Sequence, residues 1–267
     1  MNNFQKIIWN YYNKNKRNFP WRNTKDPYKI LVSEIMLQQT QTSRVVVKYK
    51  EFLKKFPTLK DLAGARLSEV LKVWIGLGYN RRAKYLHECA KAIVKDYKGK
   101  FPKDFNALIK LPGIGQSSAG AILNFAFNIP TPFIETNIRT VYIHHFFKDK
   151  TNILDKEIFK IISKTLDTKN SREWFYALYD HGSYLKSTLT TNPSRRSSHY
   201  KKQSVFKGSF REKRAFVLKS LLEKPLTNIQ LTSLLKKHFN ISDPDQIINS
   251  LLTDRLISKK GKLYFAG

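Results

Sequence analysis

Cysteine is almost missing from this sequence: Cys89 is the only one in 267 residues. A single thiol excludes internal disulfides, and equally any cluster or zinc site assembled from several thiolates of one chain. Acidic residues are scarce as well, 20 against 49 lysines and arginines, which leaves a formal net charge of +29. That excess goes well past what solubility requires and points to a polyanionic partner. Long apolar runs are absent too. Nothing approaches the ~18 to 20 consecutive apolar residues of a membrane span, and Met1 to Lys16 lacks the apolar stretch of a secretory signal. The sequence therefore reads as that of an intracellular protein without a membrane partner. Its six histidines include no pair at i, i+4, which argues against a helical metal site of that design.

What is present argues for a folded chain. Hydrophobic residues make up 41% and aromatics 13%, too apolar for a disordered basic tail. Phe4, Ile7, Ile8, Tyr11 and Tyr12 form one stripe at helical spacing, and Tyr28, Leu31, Val32, Ile35 and Met36 form the next. Further helical periods run over 44–56, 67–76, 81–97, 104–110, 117–127, 137–147, 155–166 and 172–185, with prolines or glycines at the joints. Strand signals are nearly absent before residue 255. The expected fold is all-α, with a helical domain over 1–185. Residues 186–210, rich in Ser, Thr, Asn, Arg and Lys with no acidic residue, read as a basic linker. Over 211–267, three short helical periods followed by two short strands outline a winged-helix-like module.

The sharpest local signal is Leu111-Pro-Gly-Ile-Gly-Gln-Ser-Ser-Ala-Gly120. Gly113 and Gly115 allow the backbone to approach a phosphate, and the N–H groups that open the following helix, near Gln116 and Ser118, supply donors at its positive dipole end. Such a hairpin holds a nucleic-acid backbone without reading sequence. An ordinary helix–helix turn that needs glycine for positive φ fits the same spacing equally well.

This segment resembles the helix-hairpin-helix of the endonuclease III and MutY superfamily of DNA glycosylases. Other segments match in the same order: Phe19-Pro-Trp-Arg22, Ser33-Glu-Ile-Met-Leu-Gln-Gln-Thr-Gln41, Gly76-Leu-Gly-Tyr79 with Arg82-Ala83, and Ile134-Glu-Thr-Asn-Ile-Arg139 resemble the adenine-removing MutY branch. The resemblance spans roughly residues 4–190, and it implies two helical subdomains around a cleft. By this resemblance Glu34 is the general acid that protonates the departing base. Glu34 also lies at the edge of an apolar stripe, where partial burial raises a carboxyl pKa. Glu135 stands where the family usually has aspartate, the anion that stabilises or attacks the cationic sugar. Its extra methylene changes the reach, and a helix cap is the alternative role for it. Trp21, Arg22, Tyr176 and Ser117 correspond to the base pocket, and Gln38, Gln39, Tyr79 and Asn80 to the wedge and the contacts with the opposite base.

The resemblance implies double-stranded DNA with a mispaired or damaged base as partner, base flipping as the route, and adenine opposite 8-oxoguanine or guanine as substrate. Five departures qualify it. Ser117 replaces the lysine nucleophile of endonuclease III, so the enzyme is expected to be monofunctional, with weak strand-cleaving lyase activity at most. Tyr176 stands in for a Gln or Glu that contacts adenine, and Asn80 for a second tyrosine; both keep thymine or uracil opposite guanine, and hypoxanthine, open as substrates. One cysteine cannot hold the [4Fe-4S] cluster of many relatives, and Arg195, Arg196, Lys201 and Lys202 are expected to supply the positive charge of its loop. The short module is expected to stand in place of the Nudix-like C-terminal domain of MutY proteins. No cofactor is expected beyond a monovalent cation among the hairpin carbonyls, and the chain is expected to be a monomer. A non-catalytic DNA-binding protein is the rival from another class.

Overall fold

The structure is a computed structural model that describes residues 1–267. Fourteen α-helices follow one another: α1 (Asn3–Asn15), α2 (Pro27–Leu37), α3 (Thr42–Lys55), α4 (Leu59–Gly64), α5 (Leu67–Trp74), α6 (Arg81–Asp96), α7 (Phe105–Ile109), α8 (Gln116–Phe127), α9 (Thr136–Phe146), α10 (Asp155–Thr165), α11 (Ser171–Thr188), α12 (Phe210–Glu223), α13 (Asn228–His238) and α14 (Pro244–Thr253). Short strands β1 (Leu226–Thr227), β2 (Ile257–Lys260) and β3 (Leu263–Ala266) complete the chain. The chain divides into two compact units. One comprises Met1–Glu34, Pro102–Lys110 and Ile114–Lys202; the other comprises Ile35–Phe101, Leu111–Gly113 and Gln203–Gly267.

The first unit is built around α11, which is buried on nearly every side, with Trp174, Phe175, Ala177 and Leu178 fully enclosed. Helices α1, α8 and α9 pack directly against it. Each large side chain enclosed in this way contributes about 1.5–3 kcal/mol. Small residues let α8 approach closely: a Cβ on Gly120 would lie 2.5 Å from Phe133 Cβ. Asn128 ends α8 in the left-handed conformation at φ +53. Its Oδ1 then accepts from the Ser171 hydroxyl (3.2 Å) and the Arg172 amide (3.1 Å), so the end of α8 and the start of α11 share one residue.

In the second unit α4 and α5 pack on α6 over Leu62, Val70, Leu71, Leu86 and Ile93. The C-terminal module joins the same unit. Its antiparallel sheet has the order β1-β3-β2, with α12 packed on β3 and on α5. Asp254, past the end of α14, ties it to α6: its carboxylate pairs with Arg214 (2.5 Å) and Arg81 (3.4 Å), and its carbonyl accepts from Lys84 Nζ (2.8 Å). Strand β1 has no counterpart in the sequence reading, because two residues carry no period and pair only through β3.

The segment read as one basic linker is heterogeneous. Helix α11 continues to Thr188, and Pro193–Arg196 form a 3₁₀ turn capped by Asn192. Ile153 then bonds this turn on both sides, donating to the Arg196 carbonyl (3.0 Å) and accepting from the Ser198 amide (3.0 Å). With Pro193, Ser194 and Ser197 buried, residues up to 198 belong to the packed first unit, and the exposed stretch begins only afterwards.

Candidate active site

Glu34 lies on α2 and Glu135 at the N-cap of α9, and both belong to the first unit. Glu34 is flanked by Leu31, Val32, Ser33, Ile35 and Met36, all buried, and it is only partly exposed itself. Desolvation, reinforced by the negative charge of Glu135, pushes its pKa up to about 8. Burial also raises Glu135, but the amides of Asn137 and Ile138 and the charges of Lys186 and Arg139 pull the other way. Glu34 thus keeps its proton at neutral pH, while the amides and cations around Glu135 favour the negative charge there. The environments of the two carboxyls differ within one site.

Glu135 also serves as the side-chain cap of α9. Glu135 Oε1 accepts from the Asn137 amide at 2.7 Å and the Ile138 amide at 2.9 Å, while Oε2 accepts only from Asn137 Nδ2 at 3.2 Å. The capping role and proximity to Glu34 thus coexist, and Oε2 retains acceptor capacity.

Around the pair, aromatic and guanidinium groups are layered. Phe125 stacks on Tyr176 with ring centroids 4.1 Å apart and 2° between planes, and the Arg22 guanidinium lies 4.5 Å from the Tyr176 centroid. With Phe125 on one face and Arg22 on the other, Tyr176 has no face left on which to stack a base. Its hydroxyl edge is what remains for contact. Arg22 is itself anchored by Asp180 through two hydrogen bonds of 2.8 and 2.7 Å, both partners being almost fully buried. Arg17 Nε donates to the same carboxylate at 2.6 Å. Trp21 is buried and stacked on Phe19 at 5.1 Å. Two guanidinium donors beside Tyr176, Arg22 Nε and Arg172 Nη1, are buried without a partner.

Three site residues escaped the sequence reading. Tyr179 stands three residues after Tyr176 on α11, and burial together with the charges of Glu34 and Glu135 raises its pKa, so it is a neutral phenol within electrostatic reach of both carboxyls. Spacing from Tyr176 was the one available signal. Gly182 touches Asn137 so closely that a Cβ would lie 2.4 Å from the Asn137 carbonyl oxygen. Lys186, one turn later on that face, interacts electrostatically with Glu135 at the start of α9. Burial lowers its pKa, while Glu135 raises it.

The hairpin residues separate by role. Gly113 needs to be glycine: its φ is +76, and a Cβ would lie 2.7 Å from Tyr85 Cβ. Gly115 has ordinary φ (−89) and nothing within 4 Å of an added Cβ. It caps α8 with no side-chain hydrogen bond and leaves an exposed first turn at Gln116, with Ser117 half-buried and Ser118 buried.

Gln38, Gln39, Tyr79 and Asn80, expected to form the wedge, sit in the second unit around Arg82, whose side chain is buried. One nitrogen of Arg82 donates to the carbonyls of Ile35, Met36 and Gln38, and the other to those of Leu77 and Gly78 and to the Thr40 hydroxyl, all within 2.5–3.0 Å. One guanidinium thereby holds the end of α2 beside the Gly76–Tyr79 turn. Gln39 (φ +54) and Tyr79 (φ +48) both take left-handed backbone there, and Asn80 caps α6 without a side-chain bond. Of the basic residues expected to face DNA, Arg195, Lys201 and Lys202 are exposed. Arg196 is not such a residue: its guanidinium donates to the carbonyls of Ile143, Phe147 and Lys148 at the end of α9.

No group of three or more His, Cys, Asp or Glu side chains is gathered to hold a metal ion. Cys89 is buried on α6, its thiol pushed up to about 12, and one cysteine does not fit a [4Fe-4S] cluster. Helices α9 and α11 do bring His145 and His181 together, with Nε2 atoms 3.1 Å apart. Burial and neighbouring histidines pull both to about 4, so they form a neutral pair in the core.

A family model for HhH-GPD superfamily base excision DNA repair proteins matches residues 32–167. Adenine DNA glycosylase from Buchnera aphidicola subsp. Baizongia pistaciae is 38% identical over 194 residues, covering 71% of this chain and 54% of that protein. Adenine DNA glycosylase from Mycobacterium tuberculosis is 42% identical over 132 residues, covering 49% and 43%. The chain thus spans about half the length of the curated relatives it matches. Among solved structures, a thermostable thymine-DNA glycosylase superposes with a TM-score of 0.64 at 27% identity, covering 71% of this chain and 88% of that one. A non-covalent endonuclease III–DNA complex superposes with a TM-score of 0.58 at 20% identity, covering 71% and 90%, a likeness of fold.

Proposed function

The chain belongs to the HhH-GPD superfamily of base excision DNA repair proteins, and from that premise we propose that it is a monofunctional DNA N-glycosylase that removes adenine mispaired with 8-oxoguanine or guanine. The observation that carries this reading is the carboxyl pair itself: Glu34 on α2, its pKa pushed up to about 8 by burial and by the negative charge of Glu135, and Glu135 held at the N-cap of α9 by the amides of Asn137 and Ile138. Glycosidic cleavage needs both. Glu34 donates its proton to the leaving base as the bond from C1′ to the base nitrogen breaks, and the bonding electrons leave with the base. Positive charge develops on the sugar, where the Glu135 carboxylate, its Oε2 less engaged than Oε1, lowers the barrier. Water then adds to C1′ and its proton passes to a carboxylate of the pair.

The names of the relatives support adenine as the base. The orphan donors Arg22 Nε and Arg172 Nη1 beside Tyr176 support a pocket that completes its hydrogen bonding with a substrate. Gly115, which no packing neighbour requires to be glycine, supports a phosphate at the uncapped start of α8. Trp21 and Ser117 belong to the same pocket reading, and Gln38, Gln39, Tyr79 and Asn80 to the wedge that replaces the flipped nucleotide. Double-stranded DNA is the partner, met by a monomer, and a monovalent cation at the hairpin carbonyls is the sole ion the reading allows.

Tyr176, together with the likeness to a thymine-DNA glycosylase, favours thymine opposite guanine as the second substrate. Single-turnover base release from duplexes carrying A opposite 8-oxoguanine, A opposite G, T or U opposite G, and hypoxanthine separates the two, with Glu34→Gln alongside. Glu34-dependent release of adenine is the expected result. Release of thymine instead moves the substrate, and binding without release of any base rejects the enzyme.

A further inference from the structure

From Lys201 to Gly208 every residue is exposed, and in this polar, basic stretch stand two apolar side chains, Val205 at 76% exposure and Phe206 at 49%. They are held in place from the second unit. Arg211, at the start of α12, donates to the Ser204 carbonyl (2.7 Å) and hydroxyl (3.2 Å), fixing the backbone just before Val205. The same guanidinium donates to the Tyr79 hydroxyl at 2.6 Å and lies 4.9 Å from the Tyr79 ring centroid and 5.9 Å from that of Phe206. Gln203 Nε2 adds a second donor to the Tyr79 hydroxyl at 2.8 Å. Tyr79 and Phe206 are therefore the two aromatic partners of one guanidinium.

A water-exposed phenylalanine held by a bidentate arginine fits a partner that is flat and apolar at its centre and anionic at its rim. A duplex opened at one base step has that chemistry: unstacked bases offer π-faces, and the phosphates on either side meet cations such as Lys202 and Lys207, which flank this segment in the chain. Tyr79 already has two donors on its hydroxyl, so its own orientation is set by the module.

We propose that Phe206, held beside Tyr79 by Arg211, is a second stacking residue that enters the duplex at the base opposite the excised one, with Arg211 as the positioning residue for both rings. This rests on the reading of Tyr79 as a DNA wedge. The C-terminal module thereby contributes to mispair selection through α12 and the segment before it. Its third helix, α14, contains no lysine or arginine and begins beside Asp243 and Asp245, a poor match for a phosphate backbone.

The test uses the full chain and measures affinity for a duplex carrying A opposite 8-oxoguanine against the same duplex with an A·T pair. Phe206→Ala is expected to lose about tenfold of the preference for the mispair, as removal of one base-stacking ring does. Its melting temperature and the slope of log affinity against log salt stay unchanged, since stacking releases no counterion. Phe206→Trp keeps the preference. Arg211→Ala loses at least as much, since it releases both rings, and the double variant is no worse than Arg211→Ala alone. A preference retained within about twofold in Phe206→Ala, or losses that multiply in the double variant, overturns the proposal. Tyr79→Ala separates the levels: if it keeps the preference, the wedge reading fails and this inference with it. If Tyr79→Ala loses the preference while Phe206→Ala keeps it, only the role of Phe206 falls.

Discussion

Gly182 and Asn137 touch, backbone against helix, with room for a hydrogen and nothing larger: a Cβ on Gly182 would lie 2.4 Å from the Asn137 carbonyl oxygen and 2.8 Å from its carbonyl carbon. Backbone cannot swing aside as a side chain can, so the two helices must separate to admit a methyl group. Gly182→Ala is expected to cost about 1–3 kcal/mol of stability and to slow base release, because Asn137 donates two of the bonds that hold Glu135. Gly64→Ala, where an added Cβ meets nothing within 4 Å, is the control and should be neutral or stabilising by up to about 1 kcal/mol. Thermal unfolding and single-turnover rates of both variants check this.

The pH profile follows from Glu34. With its pKa raised to about 8, the acid form is intact at neutral pH and is lost as the pH climbs past 8. Base release should fall about tenfold per pH unit above that point, and fall again on the acid side where Glu135 takes up its proton. Stability has its own sign. Between the ordinary carboxyl pKa of the unfolded chain and the raised value of the fold, the native state holds the extra proton, so stability declines as pH rises through that window. Glu34→Gln should remove both effects, abolishing release while making denaturant midpoints less dependent on pH across that window.

Asp180 carries two arginines, one of them Arg22, which is nearly inaccessible. Asp180→Asn leaves the Arg22 guanidinium buried without its counter-charge, at an expected cost of about 3–5 kcal/mol. Since Arg22 covers one face of Tyr176, release should weaken even in the fraction that stays folded. Urea unfolding gives the first quantity, and rates scaled to active-site titration give the second.

Basic residues near the end of α11 divide into two kinds, and salt titration tells them apart. Replacing Lys201 and Lys202 by glutamine should flatten the slope of log affinity against log salt by about 0.9 for each phosphate no longer neutralised, with the melting temperature unchanged. Arg196→Gln should do the reverse, leaving the slope and lowering the melting temperature, because that guanidinium closes the α9 carbonyls. A flattened slope in Arg196→Gln would refute the assignment.

Much of this was legible in the chain. Helical periods locate α1, α6 and α11 because an apolar stripe follows directly from side-chain order, and the Leu111–Gly120 glycines mark a hairpin because glycine alone accepts the backbone of Gly113. Glu34 at the edge of a stripe reads as partly buried for the same reason. Arg82 and Arg196 were opaque: an arginine that collects carbonyls from two turns looks, in sequence, like any other positive charge. Helix α4 was missed because six residues hold less than two turns of period.

The sequence by itself determined the helical character of the chain, its large positive charge, the incompatibility with a multi-thiolate cluster and the identity of the two carboxyls, since each of these depends on composition or on neighbours within a few residues. Tertiary structure alone decided that the charge of Glu135 comes to act on Glu34, which arginines are spent internally, and that Tyr179 and Lys186 join the site. Those properties come from desolvation and from charges brought close by folding across more than a hundred residues of chain, and no local pattern encodes them.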